Sequence, residues 1–290
     1  VTRWRQNRTM IDAHQHFWRM AKGRHQWSPE LGCILNRDFV PNDYRHECQL
    51  AGVEGGILVQ SVNDSSETEE FLDLAAEDDS ILGVVGWVPL SDPQAASEKI
   101  EQYLKLPKFV GIRHLINFET DEAWLLRPNV LEAIYIVDHY NLVLDTVPVN
   151  ERQMRSVMTV ADRCPTLEIV IDHLGCPPVN TRSWESWASL IEEAAAFQNI
   201  SIKLSIGLNV ISSWRWNTEE LRPYTDHVLT KFGADRIMAA SNWPVILLGG
   251  NYPEIWKGTT ALLHDLDPTQ RADVLSKTAR RVFKLPSNAP

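Results

Sequence analysis

Eight short apolar runs recur along this 290-residue chain, and almost every one ends in a polar or aromatic residue and leads into an amphipathic stretch. The runs cover 10–13, 56–60, 82–88, 110–114, 142–146, 168–173, 200–205 and 237–242. Many are rich in Val, Ile and Leu without strict alternation, as expected of strands in a parallel sheet covered by helices. Helical patterns fall between them at 66–77, 92–104, 130–139, 151–162, 184–197 and 218–232, with a last amphipathic stretch at 268–282. Ser66-Glu-Thr-Glu69 has the form of a capping box, and Gly233 stands just past residue 232, where a left-handed cap is common. Strand and helix alternating about eight times predict an α/β fold, a (β/α)₈ TIM barrel. A doubly wound open sheet is the other arrangement this order allows, but no Gly-x-Gly-x-x-Gly follows the first strand. No linker, repeat or low-complexity stretch interrupts the chain, so a single domain is expected over 1–290, with residues 1–9 as an N-terminal extension.

The net charge of -10 and a pI near 5.4 argue against nucleic acid and anionic membrane surfaces as partners. No apolar run is long enough to span a membrane, and the basic first residues are not followed by the apolar core of a secretory signal. A cytoplasmic location is therefore expected. Cys33, Cys48, Cys164 and Cys176 are widely spaced and show no zinc-finger pattern. The sequence is compatible with a homo-oligomer.

In a barrel of this kind, chemistry sits at the C-terminal strand ends. These ends read Asp12-Ala-His14-Gln-His16, Gln60-Ser61, Gly86-Trp87, Arg113-His114, Asp145, Asp172-His173-Leu-Gly175, Lys203-Leu-Ser205 and Ser241-Asn242-Trp243. Eight polar ends together are hard to explain as packing, because unpaired polar groups in a core are costly. His14 and His16 are two apart, so on an extended strand both rings face one side, a spacing that suits a metal or a shared anionic ligand. A structural role for one ring and exposure of the other is the plainer alternative. His173 offers a third imidazole from another strand. Arg113 and His114 are neighbours, so one of them is expected to enter the pocket, and an arginine there would offer planar donors to a carboxylate or polarised carbonyl. A rim salt bridge would explain the arginine equally well. Lys203 could stabilise an oxyanion or pair with a buried acid. Among the 11 tryptophans, Trp18, Trp27, Trp87 and Trp243 fall near strand ends, where a ring could stack on a sugar or fill the core.

Asp12-Ala-His-Gln-His-Phe-Trp18, Gly111-Ile-Arg-His-Leu115, Ile171-Asp-His-Leu-Gly-Cys-Pro177, Lys203-Leu-Ser205, Ser241-Asn-Trp-Pro-Val245 and Thr278-Ala-Arg-Arg281 resemble the amidohydrolase-related sugar lactonases. These include L-fucono- and L-rhamnono-lactonases and 2-pyrone-4,6-dicarboxylate lactonase. The resemblance runs from about Ile11 to Leu285. It implies hydrolysis of a cyclic ester of an aldonic acid by an activated water, with no metal required or with one divalent ion such as zinc. On that basis His14 and His16 would polarise the lactone carbonyl or hold the metal, and His173 would assist. Arg113, His114, Gln60, Trp27, Trp87, Lys203 and Trp243 would meet the substrate. The last strand would supply the general base.

Two positions depart from the family's pattern. Where the family reads Ser-Asp-Trp-Pro, this chain reads Ser241-Asn242-Trp243-Pro244. An amide has nearly the shape of a carboxylate but cannot accept and carry a proton near neutral pH. Asp145 stands where two-metal relatives place a histidine, which argues against a binuclear site. The sequence thus leaves three readings: a lactonase disabled at its base by an Asp-to-Asn change at 242; an enzyme with a native asparagine that isomerises or decarboxylates on the same barrel, or whose nucleophile is generated by His173, His16 or a metal-bound hydroxide; and a non-catalytic sugar-acid binder. The loops at 19–36 and 208–224 would set which sugar is taken.

Overall fold

The computed structural model describes residues 10–179 and 183–286, so the extension read over residues 1–9 lies outside the described residues. Eight strands among these form one parallel sheet in sequential order: β1 Met10–Gln15, β2 Val53–Val59, β3 Ile81–Gly86, β4 Phe109–Arg113, β5 Val143–Thr146, β6 Ile169–Ile171, β7 Ile200–Leu204 and β8 Ile237–Ala239. A parallel bridge between Gln15 and Trp243 closes the sheet. The backbone bonds Asn242 N to His14 O at 2.9 Å and His16 N to Trp243 O at 2.7 Å complete the seam. The (β/α)₈ barrel read from the strand rhythm is present.

Two apolar layers follow from the side-chain alternation. Ile112, Leu144, Ile171, Ile202 and Leu204 point out of the barrel toward the helices. Ile11, Val59, Val85, Val143, Val170 and Met238 point inward and meet Val282 and Phe283 of the C-terminal helix, which plugs the barrel from below. The helices start where sequence chemistry permits. Asp64, rather than the capping box read at Ser66, caps Ser65–Glu77 by accepting from Ser66 N. Asn150 caps Glu151–Arg163, and Asn217 caps Thr218–Phe232. The C-terminal stretch read as one helix is divided into Pro268–Ala272, a π-helical turn at Asp273–Lys277, and Thr278–Val282. Four further helices, Pro29–Leu35, Pro41–Ala51, Leu208–Ile211 and Tyr252–Leu262, occupy stretches the periodicity did not assign. No helix among the described residues is long and apolar enough to cross a membrane.

One irregularity positions the site. The pairing of β1 with β2 shifts register between Asp12 and Gln15. A regular strand would put Asp12, His14 and His16 on one face. Instead Asp12 points outward and His14 and His16 meet inside the barrel. Asp12 is fully buried and accepts from Ser241 N (2.8 Å), Ser241 Oγ (2.5 Å), Tyr252 OH (3.0 Å), Tyr44 OH (3.3 Å) and His14 N (3.2 Å). It ties the first strand to the last at the seam. Asp12→Ala would strand several buried donors and should lower stability in urea unfolding by about 3 kcal/mol or more, whereas Tyr252→Phe, which removes one donor, should cost about 1 kcal/mol.

Candidate active site

The floor of the site is a buried ionic network inside the barrel. Lys203 on β7 is completely buried and makes close ion pairs with Asp145 of β5 and with Asp172, the latter at 2.9 Å. Arg113, at the end of β4, donates to Asp172 Oδ2 at 2.9 Å and to the carbonyl of Gln60. Two cations thus neutralise two carboxylates out of reach of water. Burial alone would raise the Asp172 carboxyl, but Lys203, His14 and His173 outweigh it and hold Asp172 well below the usual carboxylate range. Burial and the charge of Asp172 push Asp145 up to about 7, against Lys203 and Arg113.

Above this floor the three imidazoles converge. The ring centroid of His14 lies 4.7 Å from that of His16 and 4.6 Å from that of His173. His16 Nδ1 is 2.7 Å from Val59 O, so it carries the proton and donates, leaving the lone pair on Nε2. His14 Nε2 lies 3.0 Å from that nitrogen. His14 Nδ1 sits between Asp172 Oδ1 at 3.1 Å and Lys203 Nζ at 3.0 Å. Two proton placements compete. With the proton on Nε2, His14 donates to His16 and accepts from Lys203. With the proton on Nδ1, it donates to Asp172, and two lone pairs then face each other. Burial lowers both rings well below the ordinary imidazole value, and both are neutral at neutral pH. Burial also brings His173 down to about 4. His173 Nδ1 pairs with Ser205 Oγ at 2.8 Å.

The second placement is the one a metal ligand requires, with the far ring nitrogen donating to a carboxylate or backbone carbonyl. The 3.0 Å between the two Nε2 atoms is close to the separation of about 3.3 Å between donors on one tetrahedral zinc ion. His14, Asp172 and His173 also offer donor atoms within 4.8 Å of one another. Asp172 is already engaged by Lys203 and Arg113, so the imidazoles are the freer donors. The set suits one divalent ion. The two carboxylates that a second ion would need are occupied by the ammonium and guanidinium groups.

A cleft of about 440 Å³ opens over this cluster at the C-terminal strand ends. Its floor is His16, Arg113, His173 and Asn242. Trp18, Trp27, Leu115, Val147, Leu208 and Val245 form apolar walls, while Ser61, Asn117, Asn209 and Ser212 add polar groups. Phe118, 72% exposed, stands at the rim. A larger cavity of about 530 Å³ lies at the opposite face, beneath the barrel, against Leu82, Lys108 and Phe283. None of the polar strand ends reaches it, so the smaller cleft is where chemistry is feasible.

Of the residues singled out from sequence, His16, His173, Asn242, Arg113 and Trp27 line the cleft, and His14 lies directly beneath it. Five others stand away from it. Lys203 is sequestered by its two acids. Gln60 donates to Asn63 and to Arg113 O. His114 stacks on Trp124 at 3.9 Å and pairs with Glu119, and Trp87 donates to His114 Nδ1 at 3.1 Å. Trp243 is buried among Phe17, Phe39 and Tyr44. For His114, strand alternation provides the reason: Arg113 points inward, so its neighbour points out. Asp172, Ser61, Asn117 and Asn209 belong to the site without having been assigned a role. Asp172 and Ser61 carried a signal in their places at strand ends and Asn209 in its loop, whereas Asn117 carried none.

Two strained segments hold the floor in place. His173, Leu174, Gly175 and Cys176 all have left-handed φ values, from 52° to 63°, and the turn is anchored by Trp187 Nε1 donating to Leu174 O at 2.9 Å. Asn242 also has a positive φ, 60°, a conformation that Asn and Asp tolerate better than most residues. Its Nδ2 donates to Ile206 O at 2.9 Å, which fixes the amide orientation.

A (β/α)₈ barrel with a histidine pair on its first strand, a third histidine after the sixth and all its chemistry at the C-terminal face defines the class of protein. The family model described as Amidohydrolase matches residues 11–285, and the chain belongs to that family. It is 33% identical over 279 residues to an L-fucono-1,5-lactonase of Burkholderia ambifaria, covering 95% of each chain. It is 29% identical over 291 residues to an L-fucono-1,5-lactonase of Burkholderia multivorans, with 96% of this chain and 97% of that one covered. The crystal structure of an amidohydrolase from Burkholderia multivorans with bound zinc superposes with a TM-score of 0.86 at 29% identity, covering 96% of this chain and 99% of that chain.

Removing the ammonium from the floor would leave two buried carboxylates without their shared cation. Lys203→Met should therefore cost about 3–5 kcal/mol in denaturant unfolding, and adding Asp145→Asn should recover part of that loss in a double-mutant cycle.

Proposed function

We propose that this protein opens the lactone ring of a sugar acid by addition of water, and that Asn242 leaves it without its proton acceptor. The convergence of His16, Arg113, His173 and Asn242 on the floor of one cleft carries the reading. The volume is suited to a small ring, and two relatives, 33% and 29% identical, are L-fucono-1,5-lactonases. Arg113 and the neutral imidazoles would polarise the ester carbonyl as negative charge develops on its oxygen. Trp27, Val147 and Leu208 would take the C–H face of the ring, and the polar wall its hydroxyls. A divalent ion, where bound, would be held by His14, His16 and His173 and would supply Lewis-acid polarisation of the carbonyl. Asn242 occupies the position that the family motif gives to aspartate, and its amide cannot take the proton from water.

One observation favours a second reading. Asn242 Nδ2 donates to Ile206 O, a bond an ionised aspartate could not make. In that reading the asparagine is native and positions the water through Oδ1. His173 would then accept the proton; at neutral pH it is unprotonated, because burial lowers it to about 4.

Acid release from a panel of five- and six-membered aldonolactones separates the two. On the first reading Asn242→Asp raises turnover by about 10²-fold or more. Inactivity of that variant on every lactone would contradict the first reading. On the second reading the protein with Asn242 turns over, and His173→Ala abolishes it. On the acid side its activity falls as pH drops through about 4, where His173 gains its proton. Chelation followed by zinc titration reads the metal separately: His16→Ala should weaken binding by about 10-fold or more.

A further inference from the structure

Ser61 lines the cleft, and behind it lies a buried carboxyl that the reaction described above does not use. Glu67, in the first turn of Ser65–Glu77, is 1% exposed. Its Oε2 accepts from Ser61 N at 2.7 Å and Val62 N at 3.1 Å, while Oε1 lies 2.5 Å from Ser61 Oγ. The same hydroxyl is 2.9 Å from His25 Nε2. The His25 ring lies 4.9 Å from Trp18 and stacks at 5.6 Å on Trp27, two walls of the cleft. The charge of Arg24 acts on Glu67, but Arg24 is engaged by Glu70 at 2.8 Å and Asp64 at 3.8 Å. No ion pair to Glu67 forms among the described residues, and burial pushes its carboxyl up to about 7. Burial, followed by Arg24, lowers His25 to about 4, so His25 is neutral.

Holding the loop needs only an acceptor, which one oxygen of Glu67 already provides. The other oxygen shares a hydrogen with the hydroxyl of Ser61, a residue that lines the cleft. When Glu67 is ionised, Ser61 must donate to it. When Glu67 is protonated, Glu67 donates to Ser61, whose own hydrogen is then free to be given away.

We propose that Ser61 delivers a proton to the oxygen that leaves as the lactone ring opens, and that Glu67 supplies that proton. This rests on the lactone-opening reading. As the tetrahedral adduct collapses, the bond between the carbonyl carbon and the ring oxygen breaks and its electron pair goes to that oxygen. The oxygen takes the hydrogen of Ser61 Oγ, and Ser61 takes the proton of Glu67, which becomes a carboxylate. The proton of the attacking water goes to the acceptor at position 242 or to His173, and solvent reprotonates Glu67 after the acid departs.

Infrared difference spectra of the full chain, with the band assigned by its loss in Glu67→Gln, should show a protonated Glu67 carboxyl that titrates at about 7 and shifts on Ser61→Ala. A carboxylate ionised throughout the acid and neutral range would overturn the proposal. In the Asn242→Asp protein acting on an aldono-1,5-lactone, Glu67→Gln should keep the loop bonds and KM. It should lower kcat by about 10²-fold and abolish the fall of activity above neutral pH. Ser61→Ala should do the same, and Ser61→Thr should restore kcat. Unchanged kcat in Glu67→Gln and Ser61→Ala, or loss confined to KM, would also overturn it. If no lactone is opened even with aspartate at 242, the lactone reading fails, and the infrared titration alone decides whether the Ser61–Glu67 proton pair exists.

Discussion

The pairing of Lys203 with Asp145 and Asp172, deep in the barrel, is the interaction on which the rest of the site depends. An isolated buried charge would cost far more than any one contact returns. Here two carboxylates, an ammonium and a guanidinium neutralise one another, contributed by β4, β5, the end of β6 and β7. Their geometry also orients the chemistry above. Asp172 reaches His14, Arg113 is held with its guanidinium at the cleft floor, and the proton on His14 is decided between Lys203 and Asp172. Lys203 thus acts on the site through the groups it fixes.

The functional groups sit on backbone that would be unfavourable elsewhere. Four successive left-handed residues carry His173 into the cleft, and Asn242 is also left-handed. Gly175 adopts this conformation freely and Asn242 tolerates it, but for His173, Leu174 and Cys176 it costs about 1–2 kcal/mol each and persists only where the surroundings determine it. Trp187 pins the first turn, and the bonds that Asn242 donates from N to His14 O and from Nδ2 to Ile206 O pin the second. The register shift in β1 belongs to the same set of devices. It lets Asp12 lock the seam from outside while His14 and His16 face inward.

Much of this was legible in the sequence, for identifiable reasons. Strand period and apolar runs depend on local burial, so all eight strands were found, with small errors at their ends. His16, His173 and Asn242 share one cleft, as expected of strand ends in a barrel. Side-chain destination was less legible. Lys203 and Trp243 look like site residues in sequence, and only tertiary packing reveals that one neutralises acids and the other fills the core. His114 was one residue from the correct face. Ser61 and Glu67 gave no signal as a pair, because loop geometry brings them together. The helices at 29–35 and 41–51 begin at prolines in stretches too short or too polar for periodicity to mark.

The proposed function makes one group, the proton acceptor, the missing part of an otherwise assembled site. That idea can be tested by supplying the missing acceptor from solution. A small carboxylate such as formate should enter the open cleft and accept the proton that Asn242 cannot. Lactone opening by the protein with Asn242 should then rise in proportion to formate concentration, while the Asn242→Asp variant should not respond. A rate independent of formate, together with turnover by the unaltered protein as fast as that of the variant, would contradict the account.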